Sequence, residues 1–262
     1  MINISDIELV AEKLRKASKS GELIPPIREI IGTEDIASAY EIQTKNINLR
    51  IADGARIVGR KIGLTNKVVQ KHFNVYTPDF GALLNTMAIM NGDEVPWNEL
   101  YQPKAEAEIA FVIGKDITDP TITSHELISA IDYALPSIEV VGSRILNWDI
   151  KITDTIADNA SASHYVLGHR PVKLSDFDMV GCKMEMKRNS EVVSEGTGAS
   201  CLGSPLNATI WLAKTLIEMG TPLSAGDIVL TGSLGPMISA EPGDFFEAKI
   251  DGLGTVSVNF GK

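Results

Sequence analysis

The sequence predicts an α+β protein, with a small helical lobe at the N-terminus followed by a strand-rich body. Three observations carry that reading. Apolar residues recur at helical spacing between Ser5 and Ser20, and again between Thr33 and Gly54. After Gly54 the texture changes to short apolar runs separated by Gly, Pro, Asn and Asp. Only two helical stretches interrupt those runs. The expected boundaries are residues 1–55 for the lobe and 56–262 for the body.

In the first helix Ser5 is placed to cap, with Glu8 at the capping-box position. Ile7, Val10, Ala11 and Leu14 form its apolar stripe, and Gly21 ends it. The segment Leu23-Ile24-Pro25-Pro26-Ile27-Arg28 reads as a proline-stiffened connector. A second helix opens at Thr33-Glu34-Asp35-Ile36 and carries Ile36, Ala39, Tyr40, Gln43 and Ile47 on one face. Strands are predicted over Ile57–Ile62, Ala105–Ile113, Ser137–Val141, Lys183–Lys187, Ile228–Leu230, Phe246–Ile250 and Val256–Phe260. The interrupting helices are Ser124–Ala134 and Pro205–Gly220, the latter with proline suited to its first turn and glycine to its end.

At 262 residues the chain can bury a substantial core, and 44% hydrophobic with 22% charged residues is ordinary for a globular protein. A net charge of −10 argues against nucleic acid and anionic membrane as partners, since both are polyanions. No apolar run approaches the roughly 20 residues that span a bilayer. The start, Met1 to Asp6, lacks the basic flank and apolar core of a signal peptide, so a cytoplasmic location is expected. Cys182 and Cys201 lack CxxC spacing and read as reduced, buried thiols. His72, His125, His164 and His169 show no zinc-ligand grouping. Gly232-Ser233-Leu234-Gly235-Pro236 lacks nucleotide-loop spacing, and Trp97, Trp148 and Trp211 read as packing residues.

The most informative stretch is Ala105-Glu106-Ala107-Glu108-Ile109-Ala110-Phe111-Val112-Ile113. Strand side chains alternate, so Glu106 and Glu108 share one face. Two carboxylates in an apolar setting repel, and each carries a desolvation cost. Glu139, in Ser137-Ile138-Glu139-Val140-Val141, is a third acid inside a strand-like run. Three carboxylates suit a hard cation with oxygen ligands, magnesium or manganese. Spacing alone leaves a second reading open, in which the strand is an edge and both glutamates lie on its solvated face.

Several segments together resemble one family. Gly59-Arg60-Lys61-Ile62-Gly63-Leu64-Thr65, Thr77-Pro78-Asp79-Phe80-Gly81 and Pro103-Lys104-Ala105-Glu106-Ala107-Glu108-Ile109-Ala110 are similar to its motifs. So are Glu139 to Arg144, Ala157 to Ser161, Gly203 to Ala208 and Leu230-Thr231-Gly232. The family is the 2-hydroxypenta-2,4-dienoate hydratase and 4-oxalocrotonate decarboxylase group of the fumarylacetoacetate hydrolase superfamily. The likeness covers nearly the whole chain and is strongest to the hydratases of aromatic meta-cleavage pathways.

The resemblance implies a mixed β-roll core, a small 2-hydroxy or 2-oxo acid substrate, and Mg2+ or Mn2+ held by Glu106, Glu108 and Glu139. It makes Lys61 the active-site lysine and Asp79 the acid that acts on water or substrate. Ser161 and Thr231 match polar positions near the substrate. A homo-oligomer, and complexes with other pathway enzymes, are also implied. On electrostatic grounds a lysine near a dication should have a lowered pKa. Without the resemblance, Lys61 reads as a surface cation before a strand and Asp79 as a turn residue after proline.

Hydration is the favoured activity because Asp79 offers a base to water. Decarboxylation of 4-oxalocrotonate is the alternative, since loss of carbon dioxide leaves the same dienolate. An acylpyruvate-type hydrolase is disfavoured, since no His–Glu arrangement is visible to activate its water. A catalytically silent binding subunit is disfavoured by the intact set of Lys61, Asp79 and three glutamates.

Overall fold

The computed structural model describes residues 3–67, 70–71 and 75–262, so His72 lies outside the described residues. Three helices come first: α1 (Ile4–Ser20), α2 (Arg28–Ile31) and α3 (Ile36–Ala52). The cap of α1 is Asn3, whose side chain accepts from the Asp6 N–H at 2.8 Å, and not the expected Ser5. Gly21 closes α1 in the left-handed conformation that glycine adopts without strain. Short α2 occupies the end of the predicted connector.

The strands and remaining helices follow as β1 (Ile57–Gly63), β2 (Asp79–Leu84), β3 (Ala88–Ile89), β4 (Glu94–Val95), β5 (Lys104–Ile113), α4 (Ser124–Ala130) and β6 (Ile131–Val141). Next come α5 (Ile152–Ala157), β7 (Ala162–Leu167), β8 (Lys183–Arg188), β9 (Glu191–Thr197) and α6 (Pro205–Glu218). The chain ends with β10 (Ile228–Ser233), β11 (Ile238–Ser239), β12 (Phe245–Ile250) and β13 (Gly254–Phe260). The larger sheet has the order β2-β1-β10-β5-β6-β7-β3, with β11 paired to one end of β5. The smaller sheet runs β4-β13-β12-β8-β9. Parallel pairs (β1 with β10, β3 with β7, β4 with β13) mix with antiparallel ones.

Strand β5 is a packing hinge between sequence and site. Ala105, Ala107, Ile109, Phe111 and Ile113 face the main core, which Phe246, Val256 and Val258 of the smaller sheet and Leu212 and Leu216 of α6 complete. The opposite face carries Lys104, Glu106 and Glu108. Helix α4 stops at Ala130, four residues before its predicted end, because Ile131 to Ala134 pair with Ile113 to Phe111 of β5. That pairing overrides local helical pattern, as tertiary context commonly does. Strands β2, β7 and β9, and the two-residue strands β3, β4 and β11, have no counterpart in the sequence prediction.

The N-terminal helices bury Ile7, Val10, Leu14, Ile31, Ala39 and Ile42 against Ile145, Ile156 and Ala157 of the body. Buried Asp154 of α5 fixes their connector. It accepts from the Ile27 and Arg28 N–H groups at 2.9 Å each and from the Arg28 guanidinium at 2.7 Å. Strand β2 is an edge of the larger sheet, and side chains close it. The Phe80 N–H donates to the Tyr40 hydroxyl at 3.2 Å, and Gln43 Nε2 donates to the Phe80 carbonyl at 3.0 Å. Asn159 meets both backbone groups of Ala82, at 2.8 and 2.9 Å. Among the described residues no helix is long and apolar enough to cross a membrane.

Candidate active site

Strands β5 and β6 run antiparallel with Glu106 directly opposite Glu139 and Glu108 opposite Ser137. One carboxylate oxygen from each of the three glutamates lies within 4.8 Å of the others. The edge-strand reading of β5 fails, since β10 and β6 flank it on either side. Glu108 and Glu139 are buried and Glu106 half-buried. Burial pushes all three carboxyls up, Glu139 to about 7, where Lys61 opposes the rise and Glu106 adds to it. Glu108 stands well above the usual carboxylate range, with Glu139 and Glu106 reinforcing the burial.

Lys61, buried in the middle of β1, reaches into this cluster. Its Nζ stands 3.0 Å from Glu139 Oε1 as an ion pair, while its aligned hydrogen bond goes to the Ala160 carbonyl at 2.9 Å. Burial alone pushes the ammonium pKa down, but Glu139, Glu106, Asp79 and Glu108 outweigh it and the net direction is up. Among the described residues Asp79 Oδ1 and Glu139 Oε2 meet no hydrogen-bond donor, and Glu139 Oε1 has only its ion pair with Lys61. Buried polar atoms are rarely left so. Three converging carboxylates, Glu139 among them with an oxygen that meets no donor, are the donor set a hard dication takes, so the residues present fit a divalent metal.

Asp79 begins β2 opposite Gly63 of β1. A Cβ at Gly63 would sit 2.1 Å from Asp79 Oδ1, so the Lys-Ile-Gly sequence leaves room for the carboxylate. Burial raises the Asp79 pKa, with Lys61 opposing. Glu108 is oriented by the Gly232 N–H, which donates to Oε2 at 2.8 Å. Gly232 has φ +115°, and a Cβ there would strike Thr65 Oγ1 at 2.1 Å, so both conformation and space require glycine.

Ser161 and Thr231 are chain neighbours of two residues that touch the cluster, Ala160 and Gly232. Ser161 Oγ lies 3.1 Å from Thr155 Oγ1, in the residue after the Ala160 that Lys61 binds. Thr231 donates its hydroxyl proton to the Ile109 carbonyl at 2.8 Å, while its own carbonyl accepts from Cys201 Sγ at 2.6 Å. Burial pushes the Cys201 thiol up to about 12, which keeps it inert. Sequence reasoning missed Asn159 and Gly232. Both lie in segments that resemble family motifs, Ala157 to Ser161 and Leu230-Thr231-Gly232, and both are residue types that tolerate left-handed backbone.

A His–Glu contact exists away from the cluster. His164 Nε2 lies 3.3 Å from Glu99 Oε2. It lines a groove of about 690 Å³, with Arg50 and Arg144, that contains none of Lys61, Asp79 and the three glutamates. The groove therefore lies apart from the carboxylate cluster. Trp97 and Trp211 pack against the core, and Trp148 lies under Lys104 Nζ, 4.4 Å from the ring centroid.

Residues 52–260 match the family described as fumarylacetoacetate (FAA) hydrolase, C-terminal. The chain belongs to that family. It is 52% identical over 253 residues to 2-keto-4-pentenoate hydratase 1 of Dechloromonas aromatica, covering 97% of this chain and 96% of that one. It is 48% identical over 256 residues to the TodF product hydratase of Pseudomonas putida, with 98% and 96% covered. Among solved structures it is similar to 4-oxalocrotonate decarboxylase from Pseudomonas putida G7, complexed with magnesium and adipate. That match has a TM-score of 0.95, 32% identity and 99% of each chain covered. Within the fumarylacetoacetate hydrolase family, then, both a hydratase and a decarboxylase lie near this chain.

Proposed function

We propose that this chain is a divalent-metal-dependent hydratase that adds water to 2-hydroxypenta-2,4-dienoate, giving 4-hydroxy-2-oxopentanoate in aromatic meta-cleavage catabolism. One observation carries the choice of hydration. Asp79 is a buried carboxylate with a free oxygen, beside Lys61 and the three glutamates, in a chain about half identical to named hydratases along its whole length.

Glu106, Glu108 and Glu139 would hold the metal, with Mg2+ or Mn2+ as the proposed ions. A bound dication would stabilise negative charge on the substrate C2 oxygen. Lys61, held by the Ala160 carbonyl, neutralises the substrate carboxylate and moves a proton to C5, converting the dienol to an α,β-unsaturated ketone. The proton placed on C5 is replaced on Lys61 by the one the C2 hydroxyl gives up. Asp79 then orients water and takes its proton as oxygen adds at C4, and returns that proton to C3 to complete the product. Ser161 and Thr231 border the substrate. Decarboxylation of 4-oxalocrotonate is the second reading, favoured by the 0.95 TM-score to that enzyme. A cytoplasmic homo-oligomer, able to associate with other enzymes of the pathway, belongs to the same proposal.

The test is conversion of the dienoate followed by loss of dienol absorbance and by product NMR, with Mg2+ and then with excess EDTA. Turnover that EDTA abolishes and Mg2+ or Mn2+ restores is expected. Full activity in EDTA, with metal analysis showing no bound ion, would remove the metal from the reading.

A further inference from the structure

We propose that Asn159 is the positioning residue of this site: its side-chain amide locks onto β2 while its backbone delivers the Ala160 carbonyl to the Lys61 ammonium. The inference rests on reading Lys61 as the active-site lysine.

Lys61 sits among four carboxylates, which attract it without fixing its direction. A lysine carries three rotatable donors on a flexible stem, so charge alone does not set where they point. The fixed directional acceptor is the Ala160 carbonyl, 2.9 Å away. That carbonyl reaches Lys61 because residues 159–161 are all left-handed, with φ of 55°, 50° and 59°. For residues other than glycine this conformation costs roughly 1–2 kcal/mol each, and only Asn of the three tolerates it readily. Something must hold the segment.

Asn159 does so. Its Oδ1 accepts from the Ala82 N–H at 2.8 Å and its Nδ2 donates to the Ala82 carbonyl at 2.9 Å. The amide thereby presents to the β2 edge the donor and acceptor that a neighbouring strand residue would offer. Gly81 makes the approach possible, since a Cβ there would lie 2.3 Å from the Asn159 carbonyl oxygen. Gly81 is also the register partner of Lys61, and Asp79 lies two residues away on the same strand. One clamp thus sets Lys61 and Asp79 in relation to each other.

The competing account is that Asn159 only closes a sheet edge. Full-length wild type, Asn159→Ala, Asn159→Asp, Gly81→Ala and a core control distinguish the two. The control is Ile250→Ala in the smaller sheet, on a strand that pairs with neither β2 nor the Asn159 segment. Melting temperature, kcat and KM on the dienoate with Mg2+, and the rate of Lys61 acetylation by mass spectrometry are measured for each. Asn159→Ala and Gly81→Ala should each lower kcat at least ~30-fold, the scale expected of a small misplacement of a reacting group. KM should stay within ~3-fold in both. Asn159→Asp, which keeps the acceptor and the left-handed preference, should recover part of the lost kcat. Lys61 should acetylate faster in Asn159→Ala and Gly81→Ala than in Ile250→Ala. If Asn159→Ala and Gly81→Ala match Ile250→Ala in kcat and labelling at equal loss of melting temperature, the proposal is overturned. Should one of them not fold, the other decides by the same comparison. An inactive wild type defeats the hydratase reading, and the labelling comparison still decides the role of Asn159.

Discussion

Glu106 and Glu139 face each other as direct cross-strand partners in the interior of the larger sheet. Like charges in that position destabilise a sheet. Of the pair, Glu139 is also tied to Lys61 at 3.0 Å, so removing it would strand a buried ammonium. Glu106 is the informative one to change. In EDTA, Glu106→Gln should raise stability by about 1 kcal/mol, the scale of a cross-strand pair. Wild type should gain about 2.7 kcal/mol at Mg2+ a hundredfold above its Kd, and Glu106→Gln far less, with its activity abolished. Urea melts with and without Mg2+ check both, and an equal Mg2+ response in the variant would take Glu106 out of the ligand set.

Asp79→Asn should suppress hydration much more than proton exchange at C5. Asp79 serves the water step, whereas proton delivery belongs to Lys61. Solvent deuterium incorporation into the dienoate, followed by NMR beside product formation, separates the two rates. Equal loss of both would make Asp79 a proton carrier or a purely structural group.

The hydratase should prefer 2-hydroxypenta-2,4-dienoate to 4-oxalocrotonate by at least ~100-fold in kcat/KM, about 2.7 kcal/mol of transition-state discrimination. Buried Asp79 would disfavour a C6 carboxylate placed near it. Paired kinetics with carbon dioxide measured directly give the ratio, and rapid carbon dioxide release with slow hydration reverses the assignment.

His164 supplies a pH dependence apart from the site. Burial pushes its imidazole below the ordinary value of 6.5; Glu99 pulls it up, and Arg50 and Arg144 push it further down. The folded state therefore binds this proton less tightly than the unfolded chain. Stability from neutral His164 is fully present above 6.5 and is lost as pH falls through the lower folded value. Wild type should lose more melting temperature between pH ~8 and ~5 than His164→Gln does, since the variant has no proton to take up there. Parallel pH profiles for the two proteins would contradict it.

The glutamates were legible in the sequence because β5 is long and otherwise apolar, so a pair of acids two apart stands out. Lys61 and Asp79 were legible only through family resemblance; singly they look like a surface cation and a turn acid. Strand β2 escaped notice because Asp-Phe-Gly-Ala-Leu-Leu contains no β-branched residue and carries a glycine. The end of α4 was misplaced because pairing with β5, a contact made by residues distant in sequence, decides it. Asn159 was invisible for a different reason. Its part in the structure depends on a left-handed backbone and on a strand nearly eighty residues upstream, neither of which composition reveals.

The side chains that seal β2 also leave fewer of its backbone groups open to another chain. An open strand edge is a template for a stray chain, and proteins blunt such edges to avoid aggregation. Here Tyr40 and Gln43 of α3 cover Phe80, and Asn159 covers Ala82. The N-terminal helices are therefore a guard as well as a buttress: a chain stripped of them would expose the Phe80 backbone pair, on the strand that begins with Asp79, to any extended segment nearby.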